Sequence, residues 1–176
     1  MNTSLRTVHL EMFAHLGIGP ELLEQAGVIS VTDEQARTEY GITGAFGQDM
    51  SGIMFPYFDP LADKKRVTCR LRRDNPEIEN AKPKKKYLAP YGDHRHLYFV
   101  RGCVDYVKDA AVPILLVEAE KSVLALTAWS ARTSQRILPV GMGGAWGWRG
   151  RIGMKDGRNC LGSWCLSDER WLNGLW

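Results

Sequence analysis

Apolar and polar positions alternate with three different rhythms along the chain. From Leu5 to about Ala26 the spacing is helical, with Leu10, Phe13, Ala14 and Leu16 on one stripe. Gly17-Ile18-Gly19 interrupts it, and Pro20 suits the first turn of a second helix. Thr32-Asp33-Glu34-Gln35 predicts a third short helix, with Thr32 as N-cap and Gln35 closing a capping box, ending near Tyr40-Gly41. From Gly52 to Tyr106 the rhythm is that of strands. Ile53 to Phe58 is one strand, Asp59-Pro60 begins a turn, and Arg66 to Arg73 is its partner. In that partner Val67, Cys69 and Leu71 point one way, while Arg66, Thr68, Arg70 and Arg72 point the other. One face is expected in the core, and the other is expected to carry a row of guanidinium groups. Lys82 to Leu88 reads as a basic loop entering a short strand, Gly92 to His96 as a turn, and Leu97 to Val100 as a further strand.

From Val112 the pattern becomes α/β. Ile114 to Val117 is an uninterrupted apolar run, expected as a buried strand. A helix from Glu120 to about Ser130 follows, then a second apolar strand, Ile137 to Val140. Strand, helix and strand predict a right-handed βαβ unit. The chain thus divides into a helical lead (residues 1–45), a β-rich basic stretch (46–110) and an α/β segment (111–176). After Trp148 the text is rich in Gly and Trp, with an element only at Asp168 to Leu175. An end on Trp171-Leu172-Asn173-Gly174-Leu175-Trp176 is expected to be truncated or covered by a partner.

A hydrophobic content of 44% suits a packed domain, and no apolar run reaches the ~20 residues of a membrane span, so a cytoplasmic setting is expected. The four cysteines do not form paired ligand spacings, which argues against a zinc site and for buried free thiols. Net charge is only +3, but its distribution is uneven: 12 of the 23 Lys and Arg lie between Lys64 and Arg101, against 4 Asp and Glu. Such a patch suits phosphate, and arginine forks bind its oxygens in pairs; a merely solvated basic loop is the alternative.

The candidate chemistry lies where the first apolar strand of the α/β segment meets Glu118-Ala119-Glu120. A strand there delivers Glu118 to the C-terminal edge of a sheet, where open α/β folds bind ligands. Two acids at that point can hold Mg²⁺, which takes oxygen ligands and substrate phosphates. The alternative is charge at a helix N-terminus, stabilised by the helix dipole without a metal. Gly141-Met142-Gly143-Gly144 ends the next strand and would let backbone N–H groups approach a phosphate, although it is not a P-loop. His94 and His96 could act as ligands but more plausibly belong to the basic surface.

The order of these pieces resembles the catalytic core of bacterial-type DNA primases, which carry a Toprim domain. It is closer still to the Toprim-like domain at the front of many phage and plasmid primase-helicase proteins. The resemblance covers about residues 20 to 150. The acidic motif of that group reads roughly Glu-Gly-Glu-Lys-Lys-Ala. Here Glu118, Glu120 and Lys121 match, while Ala119 replaces the glycine. The resemblance implies that Glu118 is a metal ligand or general acid/base, with Glu120 as second catalytic acid. It places Lys85, Lys86 and Tyr87 in the groove for template and nucleotide, and Gly143-Gly144 in a turn facing the metal site. It departs in one respect: Toprim enzymes complete the site with Asp-x-Asp on a later strand, and the chain contains no Asp-x-Asp.

Three functions are compatible with this pattern. The first is a primase-type Toprim-like domain for phage or plasmid replication, binding single-stranded DNA, nucleotides and Mg²⁺ beside a helicase. Arg66, Arg70, Arg72, Lys84, Lys85, Lys86 and Lys121 would hold phosphates, and Tyr87 or Tyr98 would stack on a base. The second is a non-catalytic nucleic-acid- or protein-binding module, suggested by the missing acids and by Trp146, Trp148, Trp164, Trp171 and Trp176. The third, a Toprim-like nuclease, shares the metal requirement. Two-metal phosphoryl transfer lacks ligands for its second ion in every case.

Overall fold

The computed structural model describes residues 5–93, 95–144, 151–155 and 158–161; residues 63, 64, 151–155 and 158–161 are described by backbone alone. His94, Cys165, the five tryptophans named above and Asp168 to Leu175 lie outside the described residues. The chain splits into two compact units, Met1–Tyr57 with Arg66–Asp93, and Phe58–Lys65 with His94–Trp176. Among the described residues no helix is long and apolar enough to cross a membrane.

The first unit begins with helices α1 (Thr7–Ala14) and α2 (Pro20–Gln25) and strand β1 (Ile29–Val31), followed by α3 (Asp33–Thr38). Pro20 opens α2, and Thr32 caps α3 in a full capping box with Gln35. The long hairpin of β2 (Gly52–Asp59) and β3 (Ala62–Arg73) comes next, then a ribbon of β4 (Ile78–Glu79) and β5 (Lys82–Pro83), and β6 (Tyr87–Leu88). The main sheet runs β1-β2-β3-β6, so β1 joins the helical lead to the β-rich stretch. Val31, Ala36, Ile42, Met50, Met54, Cys69 and Leu71 form its core, with Leu88 packed on it directly across from Leu71.

Of the expected stripe on and after α1, Phe13 is buried and the other members are not. Leu10 and Leu16 are exposed, and α1 buries His9 and Phe13, one turn apart. Phe13 meets Phe55 of β2 edge-on at 6.3 Å. The His9 ring lies between Ser30 Oγ at 2.7 Å from Nδ1 and Asp74 Oδ1 at 3.0 Å from Nε2, so a hydrogen-bonded imidazole takes the place of a leucine. Periodicity counts apolar residues and misses such a satisfied polar group.

The second unit holds α4 (Val104–Val107), β7 (Ile114–Val117), α5 (Glu120–Thr133) and β8 (Leu138–Gly141), with the antiparallel pair β9 (Arg151–Lys155) and β10 (Arg158–Leu161). β7 and β8 pair in parallel, Ile114 opposite Leu138 and Val117 opposite Gly141, with α5 as the connection. The buried strand is β8, not β7. Leu138 and Val140 pack with Phe99, Val107 and Val112, whereas Ile114, Leu115 and Leu116 are exposed. An apolar run identifies a strand but not which neighbours cover it. Leu97 to Val100 makes only an isolated bridge, Tyr98 to Gly141, rather than a strand.

Two expectations follow for the first unit. A Cβ on Gly52 would stand 2.1 Å from the Arg72 carbonyl oxygen, so Gly52→Ala should lower stability by about 3 kcal/mol in urea unfolding, the upper end of ordinary overpacking. The second concerns His9. Burial lowers its pKa, against the pull of Asp74 and with the help of Arg6 and Arg72. The unfolded chain therefore takes up the proton first. Stability is full above the ordinary value of 6.5 and declines as pH falls from there through the native value. His9→Gln should flatten the decline in urea midpoint between about pH 7 and about pH 5.

Candidate nucleic-acid interface and acidic centre

The arginines of β3 do not form one open row. Arg66 lies over the Tyr40 ring at 5.0 Å, and Arg70 over the Tyr87 ring at 4.8 Å. Stacking of this kind fixes the guanidinium plane. Arg72 is different. It is largely buried and drawn towards Asp74 at 3.8 Å, a carboxylate also engaged by Arg6 and His9. It shares that single carboxylate with Arg6 and His9.

The basic loop beyond β3 is positioned by Arg73, a residue that the charge pattern did not single out. Strand alternation places Arg73 on the side of Leu71, and it is fully buried. Its Nε donates to the Asp49 carbonyl at 2.8 Å, and its two terminal nitrogens donate to Glu77 at 2.8 Å each. That fork is the main cause holding the Glu77 pKa down to about 2. The Arg73 backbone N–H donates to the Lys86 carbonyl at 2.8 Å, and Lys84 N–H to the Glu77 carbonyl at 2.7 Å, so the lysine segment is tied to Arg73 through its amide and through Glu77. Asn80 and Ala81, both with positive φ, turn the ribbon, and Lys85 also takes a left-handed conformation. The Lys84 ammonium meets Glu79 at 2.7 Å, Lys85 is exposed and Lys86 is half-buried.

The acidic centre belongs to the second unit. Glu118 follows β7 and is exposed, and Glu120 opens α5 with 1% exposure. The turn after β8 is laid across this corner: Met142 N–H donates to the Val117 carbonyl and Gly144 N–H to the Glu118 carbonyl, both at 2.8 Å. Gly143 and Gly144 have positive φ, which this turn requires. The glycine turn thus meets the Glu118 backbone, and the N–H of Gly144 goes to that carbonyl rather than outward. Lys121 is half-buried in the first turn of α5.

Glu120 has a different setting from Glu118. Tyr98, fully buried, has its hydroxyl pKa raised by burial and by the Glu120 charge. Tyr98 is therefore not available to stack on a base. Its backbone exchanges two hydrogen bonds with Gly141, of 2.8 and 2.9 Å. A Cβ on Gly141 would come within 3.1 Å of both Tyr98 and Val123, so the missing side chain lets these groups close over α5. The two acids do not make one open carboxylate pair. Among the described residues no group of three or more His, Cys, Asp or Glu side chains could hold a metal ion.

No protein-family model matches the chain, and no curated protein matches it. Among solved structures it is similar to the Aquifex aeolicus primase, zinc-binding and RNA polymerase domains, with a TM-score of 0.52 and 17% identity, covering 77% of this chain and 36% of that one. It is also similar to a DnaG catalytic core (TM-score 0.48, 19% identity, 77% of this chain and 46% of that chain). A third is a DnaG primase catalytic domain bound to ssDNA (TM-score 0.49, 18% identity, 80% and 49%). The chain spans between about a third and a half of the length of these structures. The fold is primase-like, a mixed α/β architecture with antiparallel and parallel sheets.

Different burial of the two acids separates their effects on stability. Glu118→Ala should stay within about 0.5 kcal/mol of the parent protein, as for other exposed positions. Glu120→Ala should lose more than about 1 kcal/mol through the cavity beside Tyr98. Denaturant unfolding of both variants checks the difference.

Proposed function

We propose that the chain is a primase-like domain that binds single-stranded nucleic acid through its basic strand and ribbon, and a magnesium-bound nucleotide at Glu118. The observation that carries this reading is the position of Glu118. It is an exposed carboxylate at the C-terminal end of a parallel strand, with a glycine turn hydrogen-bonded to its carbonyl, in a primase-like fold. Open α/β sheets bind ligands at such strand ends. The acidic motif at Glu118, Glu120 and Lys121 supports a setting in phage or plasmid replication, with a helicase as partner.

The residues fit magnesium in a limited way. Mg²⁺ keeps several waters and takes one or two carboxylates together with substrate phosphates, so Glu118 supplies an adequate protein ligand for an ion that arrives with a nucleotide. Bound there, the ion would neutralise and orient phosphate oxygens. Two-ion chemistry needs more acids than the described residues bring together. Arg66 and Arg70 supply pre-oriented forks for the strand, Lys85 and Lys86 add charge, and Lys121 lies one turn from the nucleotide site. Glu120 acts from its buried position on the shape of the corner. The burial of Glu120 favours a second reading, a nucleic-acid-binding module without catalysis. Template-directed nucleotide incorporation, lost in Glu118→Gln, separates the first reading from the second.

Binding of labelled single-stranded DNA over a salt series tests the electrostatic part. The combined change Lys84→Ala, Lys85→Ala and Lys86→Ala should weaken binding and flatten the slope of log K against log salt by about 0.7 per lost phosphate contact. Calorimetry of magnesium-nucleotide binding tests the acidic part: Glu118→Gln should abolish it while leaving DNA binding intact. Unchanged affinity in either experiment removes the corresponding half of the proposal.

A further inference from the structure

The strand-binding role proposed above leaves base contact without a residue, because Tyr98 is buried and Tyr87 carries a guanidinium on its ring. Tyr91, in the first unit with Tyr87, has the opposite character. It is 88% exposed, at the tip of the turn Pro90 to Asp93. That turn is held at several points. Asp93 N–H donates to the Pro90 carbonyl at 3.2 Å, and Gly92 takes a φ of 76°, as the third position of a type II turn requires. Tyr91 N–H reaches the Gly41 carbonyl at 3.5 Å, and Gly41, itself at positive φ, leaves room beside Pro90. The Thr68 hydroxyl of β3 donates to the Asp93 carboxylate.

These contacts place the turn beside the first arginine stack. Gly41 follows Tyr40, whose ring carries Arg66, and Thr68 is two residues from Arg66 on β3. The turn fixes the backbone that carries Tyr91 before any ligand arrives, which lowers the ordering cost of binding. A ring beside an arginine fork matches the two parts of a nucleotide, a base face and a phosphate. Within the same unit the segment Arg66–Asp93 carries 8 basic against 4 acidic residues, which favours a polyanion over a protein segment.

We propose that Tyr91 is the base-stacking residue of this interface, taking one nucleobase of a strand whose phosphate is held by Arg66. The inference rests on the strand-binding reading and adds a specific claim to it: part of the affinity depends on a base, not on the phosphate backbone.

The test compares an oligothymidylate with an abasic strand of equal length by fluorescence anisotropy. The parent protein should bind the thymidylate roughly tenfold more tightly, within the usual range for one stacked base. Tyr91→Ala should lose that preference while binding the abasic strand as before, and Tyr91→Phe should keep it, since stacking needs the ring and not the hydroxyl. Arg66→Ala should weaken both strands alike. If Tyr91→Ala retains the preference, or if the parent has none, the stacking role is overturned while strand binding stands. If the parent binds neither strand, the strand-binding reading falls, and the role of Tyr91 falls with it.

Discussion

The register of β3 is the constraint on which the basic face depends. Cys69 and Leu71 reach the core two residues apart, Leu71 meets Leu88 across the ladder, and the backbone of Gly52 lies against the Arg72 carbonyl. A shift of one residue would turn Leu71 outward and drive a charged neighbour into the core, so register is strongly specified. The same register sends Arg73 inward. A buried guanidinium must be fully hydrogen-bonded to be tolerated, and Asp49 and Glu77 meet that need. Glu77 in turn fixes Lys84, and the Arg73 amide fixes Lys86. The exposed lysine loop therefore takes its shape from a charge that never reaches solvent.

Backbone contacts do the corresponding work in the second unit. Glu118 is located by hydrogen bonds from the β8 turn to the Val117 and Glu118 carbonyls. Gly141 lets Tyr98 approach α5, and Glu120 is buried where its charge acts on the Tyr98 hydroxyl. Two acids separated by one residue thus meet different physics. One faces water; the other is enclosed.

What the amino-acid order reveals here divides along the range of the forces involved. The Thr32–Gln35 capping box, the turn at Asp59-Pro60 and the strand–helix–strand unit after Val112 depend on contacts close in sequence, and they are legible. The burial of β8 rather than β7, the burial of His9 rather than Leu10 on α1, and the reduction of Leu97 to Val100 to one bridge depend on distant neighbours. Strand parity alone would have found Arg73, since it shares the side of Leu71. Nothing local shows that Arg72 is drawn towards Asp74, or that Glu120 is enclosed. Tyr91 was hidden for another reason: a lone tyrosine in a turn carries no periodic signal, and its interest comes from contacts with Gly41 and Thr68.

The arginine–tyrosine stacks decide what kind of binding this surface favours. A lysine ammonium is a point charge on a flexible stem, whereas a stacked guanidinium offers a plane with directed donors. Lys84 is already engaged by Glu79, so much of the directional capacity lies with Arg66 and Arg70. Planar forks read the phosphate group, which is the same in every nucleotide, and long-range attraction is screened beyond about 10 Å in ordinary salt. Affinity drawn from such forks is tolerant of sequence and sensitive to salt. A base stacked on an aromatic face adds energy without adding much selectivity, because every base has such a face. On the proposed reading, forks and an exposed ring would suit a strand of any sequence.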